Sequence, residues 1–97
     1  MENKYLEEVK KIVLDFLKDE NVKIFLFGSR ARDDFSPSSD VDIGIIPKDK
    51  FNKIKLTLLK EYLENSNVPY KVEIVDFSNL SDSFKEEALK DAIIWKG

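Results

Sequence analysis

Apolar residues recur every three to four positions in two parts of the chain, which is the spacing of one face of an amphipathic α-helix. This pattern predicts helices over Tyr5–Leu17 and Phe51–Leu63. The predicted apolar face of the second helix consists of Phe51, Ile54, Leu58, Leu59 and Tyr62. A short third helix is predicted from a capping box, in which Ser83 precedes Glu86 by three residues.

Three short runs of β-branched and aromatic residues predict strands, because they are too short for helices and end at turn-forming residues. They are Val22–Phe27, Val41–Ile46 and Tyr70–Phe77. A last apolar run, Ile93–Trp95, fits either a short terminal strand or a packing tail. The order of elements predicts one small α/β domain over residues 1–97, with helices packed on a mixed sheet of three or four strands.

Composition excludes several kinds of chemistry. The 97 residues contain no Cys and no His, which excludes thiol nucleophiles, cysteine zinc sites and imidazole bases. No apolar run reaches the ~18 residues of a membrane span, and the first residues lack a signal-peptide pattern, so we expect a cytoplasmic protein with no membrane partner. A net charge of −3 without an evident basic face argues weakly against a nucleic-acid partner.

The segment after the first strand has the features of a phosphate site. Gly28-Ser29 follows the strand directly, where we expect the chain to open a short helix. Backbone N–H groups at a helix start favour an anion, and glycine lets a phosphate approach the backbone. Arg30 and Arg32 come next and are the only arginines among sixteen basic residues. Arginine suits forked contacts with phosphate, although surface charge explains both residues equally well.

Three carboxylates are candidates for a metal site. Asp40 and Asp42 lie two residues apart on the second strand, so both project from one face. Such a pair repels itself unless a cation lies between the two groups, and hard oxygen ligands suit Mg²⁺. Glu73 on the third strand is the third candidate. Asp76 competes with it, but it falls on the opposite strand face near the strand end, which favours a turn or capping role.

These features together resemble the nucleotidyltransferases related to DNA polymerase beta, and above all their small stand-alone form, the minimal nucleotidyltransferases. The signature of that superfamily is Gly-Ser, ten residues, then Asp-x-Asp, with a third acid on a later strand. Gly28-Ser29, Asp40-x-Asp42 and Glu73 carry it here. The resemblance extends over nearly the whole chain, to the closing segment from Phe84 to Trp95.

Two positions depart from the family pattern. Asp33 stands where the family usually has the last glycine of Gly-Ser-Arg-Ala-Arg-Gly. Aspartate tolerates left-handed backbone better than most residues, so the turn can persist, with one more negative charge near the phosphate site. The third acid is Glu73, where small members more often have Asp, and its longer side chain should still reach the metal.

The resemblance implies a transfer of a nucleoside monophosphate, AMP from ATP or from another NTP, onto an acceptor hydroxyl. Asp40, Asp42 and Glu73 would hold two Mg²⁺ ions, or Mn²⁺, with Glu73 as the proton acceptor. Gly28 and Ser29 would hold the terminal phosphates, with Arg30, Arg32 and Ser39 as further nucleotide-binding residues. These assignments follow from the family pattern.

The resemblance also implies a partner, because larger relatives carry a helical domain that this core lacks. Some minimal nucleotidyltransferases are the antitoxin half of a pair with a helical HEPN-type protein encoded nearby. A hetero-oligomer with such a protein, modified on a hydroxyl, is therefore the leading hypothesis. A two-subunit enzyme with a small-molecule acceptor and a non-catalytic module that neutralises its partner by contact are the alternatives. The presence of all three carboxylates argues against the non-catalytic module.

Overall fold

The computed structural model describes residues 4–31 and 40–97. Three helices and four strands alternate along this part of the chain. They are α1 (Lys4–Phe16), β1 (Val22–Phe27), β2 (Val41–Pro47), α2 (Ile54–Glu64), β3 (Val72–Asp76), α3 (Asp82–Leu89) and β4 (Ile93–Lys96). No helix within the described residues is long and apolar enough to cross a membrane.

The four strands form one mixed sheet in the order β3-β2-β1-β4. Strand β1 is antiparallel to both β2 and β4, whereas β2 and β3 are parallel. The predicted α/β fold with a mixed sheet is confirmed, and the final apolar run is a strand. The order places the ends of β1, β2 and β3 side by side, where the candidate residues lie.

Helices α1 and α2 cover one face of the sheet and enclose the main core. Each helix contributes an apolar stripe, β1 and β2 contribute alternate side chains, and β3 contributes Ile74. The buried members are Val9, Val13, Leu17, Val22, Ile24, Leu26, Val41, Ile43, Ile45, Leu56, Leu59, Leu63 and Ile74. This core holds one face of β2 in place, so the other face of β2 is left for polar side chains.

A second apolar cluster of four phenylalanines lies on the opposite face, below α3. Phe25 and Phe27 alternate with core residues along β1, and their rings contact Phe77 at centroid distances of 5.2 and 5.4 Å. The ring of Phe84 on α3 contacts the Phe77 ring at a centroid distance of 5.7 Å. Gly44 of β2 makes room for this cluster, because a Cβ there would overlap the Phe25 ring. The cluster fixes α3 beside the end of β1.

The predicted apolar face of α2 was wrong. Leu59 is fully buried as expected, but Ile54, Leu58 and Tyr62 are 65%, 51% and 53% exposed. Leu56 and Leu63 face the core in their place. The helix carries apolar residues on two faces, each with helical spacing, so the spacing alone could not identify the buried one. Phe51 precedes the helix and packs partly against the core.

The start of α3 also differs from the prediction. Ser81, rather than Ser83, is the N-cap, and its hydroxyl accepts a hydrogen bond from the Phe84 backbone N–H at 3.3 Å. Ser83 lies inside the first turn, so Ser83 and Glu86 do not form the capping box. Ser81 and Ser83 both precede the apolar residues of α3, so either could be its N-cap, and the backbone conformation determines which one is.

A lysine near the end of the chain joins β4 to the end of α1. The Nζ of Lys96 donates hydrogen bonds to the backbone carbonyls of Leu17 at 2.9 Å, Lys18 at 3.3 Å and Glu20 at 2.7 Å. These three residues form the turn that follows α1. Lys96 therefore fixes the edge strand to the turn between α1 and β1.

Candidate active site

Asp42 lies at the centre of the candidate site because of its position in the sheet. It pairs with Phe27 of β1 on one side and with Glu73 of β3 on the other. Paired residues on adjacent strands project from the same face of a sheet. The register therefore places the Asp42 and Glu73 side chains next to each other, on the face opposite the main core. Asp40, two residues before Asp42, is exposed just ahead of β2.

The three carboxylates interact electrostatically. Partial burial raises the pKa of Asp42, and the negative charges of Asp40 and Glu73 raise it further. The acids that the sequence pattern selected are therefore brought together by the fold. Their mutual repulsion is an electrostatic cost of the arrangement when no cation is present.

Lys71 is a member of this site that the sequence reasoning missed. Its Nζ lies 3.0 Å from Oε1 of Glu73, and both side chains are substantially exposed. The hydrogen bond to Glu73 raises the pKa of Lys71, and the charges of Glu73 and Asp40 add to this effect. The available signal was strand periodicity, since Lys71 lies two residues before Glu73 and so on the same strand face.

The donor set fits a hard divalent cation by its chemistry. Carboxylate oxygens are the ligands that Mg²⁺ prefers, and the repulsion among Asp40, Asp42 and Glu73 is what a bound cation would relieve. As placed, no group of three acidic side chains within residues 4–31 and 40–97 converges on one metal position. Lys71 instead supplies the local positive charge, through Glu73.

Gly28 brings the end of β1 against the central aspartate. Its φ of +79° lies in the left-handed region, which favours glycine. A Cβ at this position would overlap Oδ2 of Asp42 and lie 3.3 Å from Cγ. The backbone at Gly28 and the Asp42 carboxylate are thus in direct contact, so a group bound at Gly28-Ser29 would lie beside the acidic cluster.

The residues after Gly28 form a turn as far as Ala31, whose backbone N–H donates to the Gly28 carbonyl at 3.2 Å. The short helix expected here is not formed over residues 29–31, and the chain beyond them, including Arg32, Asp33 and Ser39, lies outside the described residues. Ser29 is partly exposed in this turn, as a nucleotide-binding residue would have to be.

Arg30 differs from a surface phosphate ligand. It is only 4% exposed, and its guanidinium carbon lies 4.2 Å from the centre of the Tyr70 ring. A guanidinium stacked on an aromatic face gains cation–π and packing energy while its edge keeps its donors. The stack joins the turn after β1 to the residues just ahead of β3, so Arg30 holds two parts of the site together.

Asp76 has the structural role that strand periodicity favoured. Its Oδ2 forms an ion pair with Lys53 at 3.0 Å, and its Oδ1 accepts a hydrogen bond from the Ser78 backbone N–H at 2.9 Å. Burial opposes ionisation, but the hydrogen bonds from Ser78 and the contact with Lys53 lower the pKa of Asp76 overall. Glu73 is therefore the acid of β3 that faces Asp42.

Comparison with known proteins shows the family of this chain. The family described as Polymerase beta, Nucleotidyltransferase matches residues 7–96. MntA of Haemophilus influenzae, named as a probable protein adenylyltransferase, is 31% identical over 78 residues, which are 80% of this chain and 67% of the relative.

Two solved structures share the fold. One, provisionally described as a minimal nucleotidyltransferase, superposes with a TM-score of 0.73 and 26% identity, over 96% of this chain and 95% of that chain. The other is a complex of a tri-AMPylated HEPN toxin of Shewanella oneidensis with an MNT antitoxin. It matches with a TM-score of 0.63 and 21% identity, over 94% of this chain and 71% of that chain. Fold, site geometry and family match agree, and the chain belongs to the polymerase beta nucleotidyltransferase family.

Proposed function

We propose that this nucleotidyltransferase moves AMP from ATP onto a hydroxyl of a helical HEPN-type partner protein, releases pyrophosphate and thereby acts as an antitoxin. The observation that carries the proposal is the position of Asp42. It lies between Glu73 in strand register and Gly28 in backbone contact. Transfer of a nucleotidyl group requires carboxylates directly beside the bound phosphates, which is the arrangement that results if the turn at Gly28-Ser29 binds them.

The names of the relatives support AMP as the transferred group. MntA of Haemophilus influenzae is named for protein adenylyltransfer, and the Shewanella oneidensis complex holds a tri-AMPylated toxin. In this chain, Gly28 and Ser29 would receive the terminal phosphates, with Arg32 and Ser39 as further proposed ligands. Arg30 would act mainly by holding the turn against Tyr70, through the stack described above.

Asp40, Asp42 and Glu73 would hold the divalent cations, two Mg²⁺ ions or Mn²⁺ in their place. When bound, such ions supply charge neutralisation for the phosphates and a lower pKa for the acceptor hydroxyl. Glu73 would accept the proton of that hydroxyl, a role that no histidine is present to take. The ion pair with Lys71, at 3.0 Å, holds the Glu73 carboxylate in place beside Asp42.

An exposed apolar surface supports a protein partner. Phe84 of α3 and Ile94 of β4 are 52% and 46% exposed. Ile94 pairs with Phe25 of β1, so both side chains lie on the sheet face that carries the phenylalanine cluster. Neighbouring exposed apolar side chains mark contact surfaces more often than isolated ones do. We propose that the HEPN-type protein covers them in a hetero-oligomer and presents its hydroxyl to the site.

The test is transfer of labelled AMP. The chain would be incubated with α-labelled ATP and Mg²⁺ or Mn²⁺, with and without the protein encoded beside it, and both chains analysed by mass spectrometry. We expect a mass increase of AMP on the partner, lost in Asp42→Asn and kept in Asp19→Asn, an exposed aspartate on a distant turn. Transfer to a free small molecule that is indifferent to the partner would favour the two-subunit enzyme, and partner binding without any transfer would favour the non-catalytic module.

A further inference from the structure

A cavity of about 290 Å³ opens between the end of β1 and α3. Its lining consists of Phe27, Gly28, Phe84, Glu87, Ala88 and Asp91. Since Gly28 is in contact with the Asp42 carboxylate, whatever fills this cavity lies next to the acidic cluster. The cavity is separate from the Asp42–Glu73 pair, because Asp42 lies between it and β3.

One side of the cavity is aromatic and apolar. Phe27 belongs to the phenylalanine cluster of the sheet, and Phe84 contacts the Phe77 ring while remaining 52% exposed. Ala88 lies one helical turn after Phe84 on α3. This side suits the apolar stem of a long side chain or a ring, since either would remove the exposed Phe84 surface from water.

The other side carries two free carboxylates. Glu87 and Asp91 are four residues apart, and both are exposed. Within residues 4–31 and 40–97, neither side chain has an ion-pair or hydrogen-bond partner. Two uncompensated negative charges disfavour a triphosphate at this position and favour a cation. An arginine or lysine side chain combines that cation with an apolar stem.

We propose that this cavity, between Phe84 and the Glu87–Asp91 pair, receives an arginine or lysine side chain of the acceptor polypeptide and so positions the neighbouring acceptor hydroxyl at Asp42 and Glu73. The proposal rests on the proposed function for the identity of the occupant. It makes Glu87 and Asp91 specificity-determining residues, which act on the choice of acceptor and not on the bond that is formed.

The test uses two fluorescein-labelled peptides of nine residues, each with one central tyrosine, flanked by two arginines in one peptide and two glutamines in the other. Binding would be measured by fluorescence anisotropy in low salt, without ATP, for the unaltered chain, for the double variant Glu87→Gln/Asp91→Asn and for Glu86→Gln. Glu86 is an exposed glutamate of the same helix that does not line the cavity, so its variant is the matched control.

We expect the unaltered chain and Glu86→Gln to prefer the arginine peptide by about five- to tenfold, the size of two partly exposed charge contacts. The double variant should lose this preference, and added salt should reduce it in the unaltered chain. Equal binding of both peptides by the unaltered chain, or an unchanged preference in the double variant, would contradict the proposal.

AMP transfer is measured separately on the same variants, so that the two proposals fail in different ways. In complex with the partner, the double variant should raise the KM for the acceptor and leave the KM for ATP unchanged. A raised KM for ATP alone would place the nucleotide in the cavity and overturn the inference. Absence of any transfer, with the arginine preference intact, would overturn the proposed function and leave the cation preference of the cavity standing.

Discussion

The backbone of Gly28 lies against the carboxylate of Asp42, so closely that a Cβ on Gly28 would overlap Oδ2. These residues are fourteen positions apart and end up in contact because Phe27 and Asp42 are paired across β1 and β2. The contact places the proposed phosphate-binding turn beside the proposed metal ligand. Its disruption should therefore affect transfer more strongly than stability.

Gly28→Ala tests this contact. The new Cβ must displace the Asp42 carboxylate, and alanine must adopt a φ of +79°. We expect transfer to fall by two orders of magnitude or more, on the scale of misplacing a reacting group, with a loss of about 1–2 kcal/mol in the free energy of unfolding. The control is Gly97→Ala, which has a similar φ of +89° away from the site. Similar losses of transfer in both variants would refute the special role of Gly28.

Asp42→Asn should stabilise the metal-free protein while abolishing transfer. The pKa of Asp42 is raised by burial and by the charges of Asp40 and Glu73. An acid with a raised pKa in the folded state contributes stability below its ordinary value of 3.8, and this contribution is lost as the pH rises through the folded-state pKa. Asparagine does not ionise, so the variant does not lose this contribution to stability at pH 7. Thermal melts without metal should show a higher Tm than the unaltered chain at pH 7, and a smaller difference near pH 4.

Asp76→Asn should behave in the opposite way. Although burial opposes ionisation, hydrogen bonds from Ser78 and the ion pair with Lys53 lower the pKa of Asp76. Such a group contributes stability above its ordinary value of 3.8, and this contribution is lost as the pH falls through the lower folded-state pKa. The variant should therefore melt at a lower temperature than the unaltered chain at pH 7, with the difference shrinking in acid. Equal pH profiles for the two asparagine variants would contradict the assignment of separate roles.

Lys71→Met should make the stability of the fold depend on divalent ions. Lys71 is the cation bound to Glu73 in the absence of metal. Its removal leaves the repulsion among three carboxylates uncompensated, which lowers the Tm. Added Mg²⁺ should raise the Tm of this variant by more than it raises the Tm of the unaltered chain or of Lys50→Met. Lys50 is an exposed loop residue and serves as the control. An identical rise in Tm with Mg²⁺ in all three proteins would show that Lys71 and Mg²⁺ do not neutralise the same carboxylates.

The sequence predicted the bounds of the strands better than it predicted contacts between residues that are distant along the chain. The bounds of β1 follow from local chemistry, namely a β-branched run ended by glycine. The common face of Asp42 and Glu73 depends on the register between β2 and β3, which local spacing does not determine. The burial of Arg30 could not be predicted, because it depends on Tyr70, forty residues away along the chain. Lys71 was missed although its spacing from Glu73 was visible, since one lysine among fourteen carries little information until its partner is known.

Helix α2 shows most clearly that local spacing does not determine which residues are buried, and a pair of variants tests this. Leu58 and Leu59 are adjacent, identical in chemistry and both at helical spacing from other apolar residues, yet Leu58 is 51% exposed and Leu59 fully buried. Burial against α1 and the sheet is decided by the whole packing of the core, so local spacing cannot separate the two. Leu59→Ala should lower the free energy of unfolding by about 2–5 kcal/mol, because it leaves a cavity in the core. Leu58→Ala should cost less than about 1 kcal/mol, since alanine favours the helix and little buried surface is lost. Urea unfolding of both variants measures the difference directly. Equal losses would mean that Leu58 is buried as well as Leu59, as the apolar face predicted from the sequence requires.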